Sequence, residues 1–240
     1  ELDFIYLVET GDGDSYSELL DDQIIDDDSV VKGKKNEEFL EEVCESSLPG
    51  GCSKTDLISL DPEYINSEHW EKYEKMEMAP SSRVQRNLDH AIPRICNNKE
   101  AKVKWKKVEE STGIPWWIVA SIHYREANLD FNRYLHNGDV LCTPTTHVPI
   151  GKNYCNWDEA AVDAVQIHLE DFEEDLFLGV EKYNGPGYDL RGDESPYLWS
   201  GSTYYSKGRF VGDGTYDPND VDYRPGVMVL AKRMEEVGCI

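Results

Sequence analysis

From residue 81 onward the apolar side chains recur at spacings of three and four, and this period limits the chain more than any other feature. Val84, Leu88, Ile92 and Ile95 set the pattern, which places them on one face of a helix and is incompatible with a strand. Nothing comparable precedes it. Residues 1–80 hold 23 Asp/Glu against 6 Lys/Arg, a net of −17, whereas residues 81–240 hold 25 against 18, a net of −7. The break in both period and charge divides the chain into an acidic N-terminal arm or docking region, 1–80, and a mainly α domain, 81–240.

Within the second part, a first helix carries Pro93 near its middle, where the ring disturbs the hydrogen-bond ladder. A second helix covers roughly Lys99–Ser111 and ends at Thr112-Gly113. The third, about Pro115–Ala127, begins at a proline whose missing N–H costs nothing in the first turn. Residues 128–156 read as an irregular excursion with room for short strands. One long helix is expected from about Asp158 to Tyr183, ending at Gly185-Pro186-Gly187, then a Gly/Tyr/Asp-rich loop and a last helix near Pro225–Val237. Loops of such length in a compact domain are usually functional. In the arm, short helices are expected at 37–47 and around Ser67–Met76. Asp12-Gly13-Asp14 and Asp26-Asp27-Asp28 lack the ligand alternation of a calcium loop and read as solvated acidic chain.

The total of −24 excludes several partner classes. Such a surface repels nucleic-acid phosphates and anionic lipid, and it cannot grip an anionic bacterial wall by charge alone, so wall binding would need a shaped cleft. No run of about 18 apolar residues is present to span a membrane. The opening Glu1-Leu2-Asp3-Phe4 has no basic or apolar leader character, and the expectation is a processed product or an excerpt of a longer chain. Of six cysteines, Cys44 and Cys52 flank a turn and Cys142 and Cys155 bracket a loop, so each pair can meet; spacing alone leaves bridges and free thiols equally open. No metal or cofactor motif is found.

The sharpest segment is Ile114-Pro115-Trp116-Trp117-Ile118-Val119-Ala120-Ser121-Ile122-His123-Tyr124-Arg125-Glu126. Val119, Ile122 and Glu126 share one stripe, so a carboxylate continues an apolar face at the C-terminal end of its helix. Desolvation and the negative end of the helix dipole both favour its neutral form and raise its pKa, as a general acid requires. A Glu paired with Arg125 at a helix end is the plainer alternative.

That segment, with Leu129-Asp130-Phe131, Leu135-His136-Asn137-Gly138-Asp139, Val148-Pro149-Ile150-Gly151, Trp157 with Ala160-Ala161, Lys182-Tyr183-Asn184-Gly185-Pro186-Gly187-Tyr188 and Ser195-Pro196-Tyr197-Leu198-Trp199, resembles the lysozyme-family proteins of bacteriophages and bacteria. These share a superfamily with goose-type lysozymes and soluble lytic transglycosylases. The matches run in the family's order over about residues 82–240. Val140 stands where the family pattern has Pro.

The resemblance implies a lysozyme-like helical domain with a small β element and an enzyme that cuts the glycosidic bond between N-acetylmuramic acid and N-acetylglucosamine in bacterial peptidoglycan. Glu126 would be the acid. Tyr183 and Asn184 would lie across the cleft, and His123, Asn137, Tyr188, Tyr197 and Trp199 would contact the sugar, with Tyr204 and Tyr205 as further aromatics and Trp116 and Trp117 in the core. Asp139 would position water, with Asp130 and Asp213 behind it; in this superfamily the second carboxylate is sometimes absent, and a transglycosylase then closes the sugar onto itself. His123 and His136 read equally well as structural histidines. A phage virion or the bacterial periplasm and wall would be the setting, with residues 1–80 docking on other tail or virion proteins. The rivals are a non-catalytic virion or wall-binding module on the same fold, and a chitin or chitosan hydrolase.

Overall fold

The computed structural model describes residues 68–212 and 214–240. The expectations for the helix at 37–47, the Cys44–Cys52 pair, the Asp clusters and Asp213 all lie outside them.

The described residues are mainly helical: α1 (Glu68–Glu74), α2 (Ser82–Cys96), α3 (Lys99–Thr112), α4 (Trp116–Ala127), α5 (Trp157–Gln166), α6 (Leu169–Glu174), α7 (Leu176–Asn184), α8 (Pro196–Trp199) and α9 (Val227–Glu236). The centre is α4. Ile118, Val119, Ala120, Ile122 and His123 are all inaccessible, so α4 is buried on every side along this stretch, and its side chains there are mostly apolar. It packs against α3 and α9, while α9 also meets α2 and α8. The expected face of α2 is buried through Val84, Leu88, Ile92 and Ile95, and Pro93 sits in its last turn rather than its middle.

Caps explain most of the boundaries. Ser81 and Asn98 accept from the backbone N–H groups of Val84 and Ala101 to start α2 and α3. Gly113, in the left-handed region, ends α3, and Asn128 does the same for α4. Two disulfides brace the body: Cys96–Cys239 ties the end of α2 to the residues after α9, and Cys142–Cys155 closes the loop before α5.

Three expectations are corrected. The long helix from Asp158 to Tyr183 is three helices, because Asp175 adopts extended backbone and its carboxylate caps a new start, accepting from Phe177 N at 2.7 Å and Leu178 N at 3.0 Å. Gly179 then lets α6 lie close, since a β-carbon there would sit 2.2 Å from the Phe172 ring. The β element is not in residues 128–156, which hold only an isolated Arg133–Val140 bridge; it is an antiparallel hairpin, β1 (Arg209–Gly212) and β2 (Thr215–Asp217). The packed body also begins before residue 81: Tyr73 and Met76 are core residues, and Ala79 N donates to Gly201 O at 2.8 Å.

One buried group is left exposed to pH. Glu181, on the inner face of α7, is 8% accessible and neither carboxyl oxygen makes a well-formed hydrogen bond. Burial pushes its pKa from 4.5 up to about 7, only partly offset by the Ser195 hydroxyl. Because the folded-state pKa lies above the unfolded one, the fold loses stability as pH rises from 4.5 to 7 and carries the full penalty above that, on the order of 3 kcal/mol. Glu181→Gln is therefore expected to raise the melting temperature at pH 8 by about 5–10 °C and to give no gain at pH 4.5. Melting curves of the two proteins that stay parallel across that range would refute the assignment.

Candidate active site

Glu126 is the penultimate residue of α4 and is half-buried. Val119 and Ile122 carry its stripe into the core, so the carboxyl emerges where the apolar face ends, in a cleft of about 370 Å³ lined by Asn87, Tyr124, Asn128, Arg133 and Arg224 as well. Tyr197, on α8, donates its hydroxyl to Glu126 Oε1 at 2.7 Å. Desolvation holds the Glu126 pKa above the ordinary carboxyl range, against the opposing pull of the Tyr197 hydrogen bond and of Arg125 and Arg224. Burial and the Glu126 charge raise the pKa of Tyr197 well above normal, so it stays a donor.

Tyr183 belongs to the same group. Its hydroxyl donates to Leu135 O at 2.8 Å, pinning α7 to the loop after α4, and it is close enough for ionised Glu126 to raise its pKa. Asn184 follows as the exposed last residue of α7. The loop itself touches the acid's backbone. Gly138, at φ +74°, would place any β-carbon 2.4 Å from Glu126 O, so only glycine allows this approach.

Asp139 lies beside that contact but its oxygens are occupied. They accept from Thr146 N (2.7 Å), His147 N (3.0 Å), Thr146 Oγ1 (3.2 Å) and His147 Nδ1 (2.7 Å). Burial opposes its ionisation, yet these donors prevail and hold its pKa down to about 2. A carboxylate so committed is a weak base, and its geometry is that of a clamp on the 145–148 loop. Asn137 does similar work, donating to His147 O at 2.9 Å and accepting from Asp139 N. Asp130 accepts from Asn132 N at 2.9 Å and shapes the turn after α4.

Tyr188 and Trp199, expected to contact sugar, are in the core, which corrects those expectations, and the structural alternative describes His123 and His136. His123 is completely buried among Trp105, Phe131 and Trp157; it accepts from Trp105 Nε1 at 3.2 Å, and burial lowers its pKa to about 4. Trp199 stacks on Phe177 under Lys72. Tyr188 is buried against Phe210 and Tyr216, and its hydroxyl accepts from Phe210 N at 3.0 Å, fastening the hairpin. Tyr205 accepts from Asp222 N, and Tyr204 donates to Lys72 O. His136 is bonded to Asp163 at 2.9 Å in a structural pair.

The charged network at the cleft has no counterpart in the sequence expectations. Arg125 does not pair with Glu126. It donates to Asp222 Oδ2 at 2.9 Å and to Arg224 O at 2.9 Å, while Arg224 donates to both Asp222 oxygens and to Arg125 O. Burial penalises the Asp222 charge, but the two guanidinium groups hold its pKa down to about 2.

Among the described residues no helix is long and apolar enough to cross a membrane. No family model, curated protein or solved structure matches this chain.

Proposed function

We propose that the chain is a peptidoglycan-cleaving glycosidase in which Glu126 protonates the oxygen between N-acetylmuramic acid and N-acetylglucosamine. The observation that carries this reading is the Glu126 carboxyl, lining a cleft, raised in pKa by desolvation and oriented by a tyrosine hydroxyl. As the bond from the sugar's anomeric carbon to the leaving oxygen breaks, the proton of Glu126 passes to that oxygen and positive charge develops on the ring. The resulting carboxylate then takes a proton from whichever hydroxyl attacks.

The attacking group is set by what surrounds Glu126. Two-carboxylate mechanisms need a second group about 5–5.5 Å or 6.5–9.5 Å away and free to act. Among the described residues, the carboxylate that acts on the Glu126 charge is Asp222, which is buried between two arginines, and Asp139 is spent on its loop. With both of these described carboxylates committed elsewhere, the route we propose is internal attack by the sugar's own primary hydroxyl, as in a transglycosylase. Mass analysis of fragments released from purified peptidoglycan tests it. Anhydro ends are expected; reducing ends would overturn the internal-attack step, and no release at all would overturn the function.

A further inference from the structure

The chain carries −24, yet its candidate catalytic cleft has the opposite sign. Among the described residues, Arg125, Arg133 and Arg224 line it against one acid, Glu126. Asp222 is one carboxylate shared by two of these guanidinium groups, so a positive charge is left over. Arg133 has only a loose pair with Asp130, at 3.5 Å, between half-exposed side chains, which contributes little.

Both outer arginines also keep donors in hand. Arg224, with half its side chain exposed, spends Nε and one N–H from each terminal nitrogen on Asp222 and Arg125 O. Arg133 directs Nη1 at Gly138 O, 2.8 Å away, and is similarly exposed. A guanidinium offers five N–H groups, so each of these two cleft-lining side chains keeps unspent donors, in the planar array that suits a carboxylate. Asn87 and Asn128 add uncharged polar lining, and Arg94 holds Asn128 through its side chain and its carbonyl.

We propose that Arg133 and Arg224 are specificity-determining residues that recognise a carboxylate borne by the glycan, so that the cleft selects acidic muramyl strands over neutral chitin. This rests on the glycosidase reading of Glu126. In peptidoglycan the carboxylate is either that of the muramic lactyl ether or that of the attached peptide. Chitin has neither, and chitosan is cationic and is repelled.

The test compares kcat/KM of the intact chain on peptide-free N-acetylglucosamine–N-acetylmuramic acid strands, their methyl esters, peptide-bearing strands and chitohexaose. Roughly tenfold preference for acid over ester is expected, shrinking at high salt and in Arg133→Gln but retained in large part by Arg133→Lys. Preference for the free acid assigns the lactyl group; preference for peptide-bearing strands over both others assigns the peptide, and either supports the proposal. The selectivity ratio is the readout, because a variant that merely loosens the loop slows all substrates alike. Equal turnover of all four substrates, peptide-bearing strands included, overturns the inference while leaving the glycosidase standing. Turnover of none of them overturns the glycosidase reading itself, and this inference with it.

Discussion

Glu126→Gln is expected to abolish release of fragments from peptidoglycan while leaving the fold and glycan binding in place. The amide fills nearly the same volume and can still accept from Tyr197, whose hydroxyl lies 2.7 Å from Oε1. It cannot deliver a proton to the leaving oxygen. General acid catalysis is typically worth about 10²–10⁴-fold, and a sugar alkoxide is a poor leaving group, so the loss belongs at the upper end. The acid must be protonated to act, and its raised pKa carries activity further toward neutral pH than an ordinary carboxyl would. Tyr197→Phe removes the hydrogen bond that favours the ionised form, so the alkaline limb of its pH–rate profile should move upward even as the rate falls. Wild-type turnover by Glu126→Gln, at its pH optimum and with an unchanged melting temperature, would show that the acid lies elsewhere.

How far this site could be read from the sequence depends on the range of each interaction. Glu126 is legible because its signal is local: three residues on one stripe of one helix, Val119, Ile122 and Glu126. Tyr183 and Tyr197 come only from the resemblance, since nothing near them in the chain tells which tyrosine faces an acid. The aromatic richness of residues 188–205 is ambiguous for a physical reason. Tyrosine and tryptophan serve a sugar platform and a core with the same apolar faces and polar tips. Here Trp199 and Tyr188 are core and hairpin anchors.

The helices show the same division. The face of α2 and the stop at Gly113 rest on short-range rules and are where the sequence puts them. The break at Asp175 is hidden because a capping aspartate inside the acidic run Glu173-Glu174-Asp175 looks like a solvated helix face. The boundary at residue 80 follows charge, whereas packing follows the few apolar side chains, Tyr73 and Met76, that reach the core from an acidic segment. Truncation after residue 80 would therefore cut into the packed body.

The least legible feature carries the second large effect. Arg125 and Asp222 are 97 positions apart, and only closure of the segment before α9 over the end of α4 brings them together. Asp222→Asn keeps the shape of that junction but leaves Arg125, 3% accessible, with a buried charge and a neutral partner. Breaking a buried ion pair by removing one side costs about 3–5 kcal/mol, which for a domain of this size lowers the melting temperature by about 10 °C. The pH dependence separates this from a general packing defect. The Asp222 pKa is depressed from 3.8 to about 2, so its contribution is fully present above pH 3.8 and is lost as pH falls through 2. That titrating share is about 2 kcal/mol, and the remainder of the loss is the orphaned Arg125. Melting curves of wild type and Asp222→Asn should differ most near neutrality and draw closer by that titrating share as pH falls through 2. Activity should fall with the melting point, because Asp222 is also what holds Arg224 at the rim of the Glu126 cleft. A change of less than about 2 °C at pH 7 would mean that the pair is solvated and stabilises little, as exposed ion pairs do.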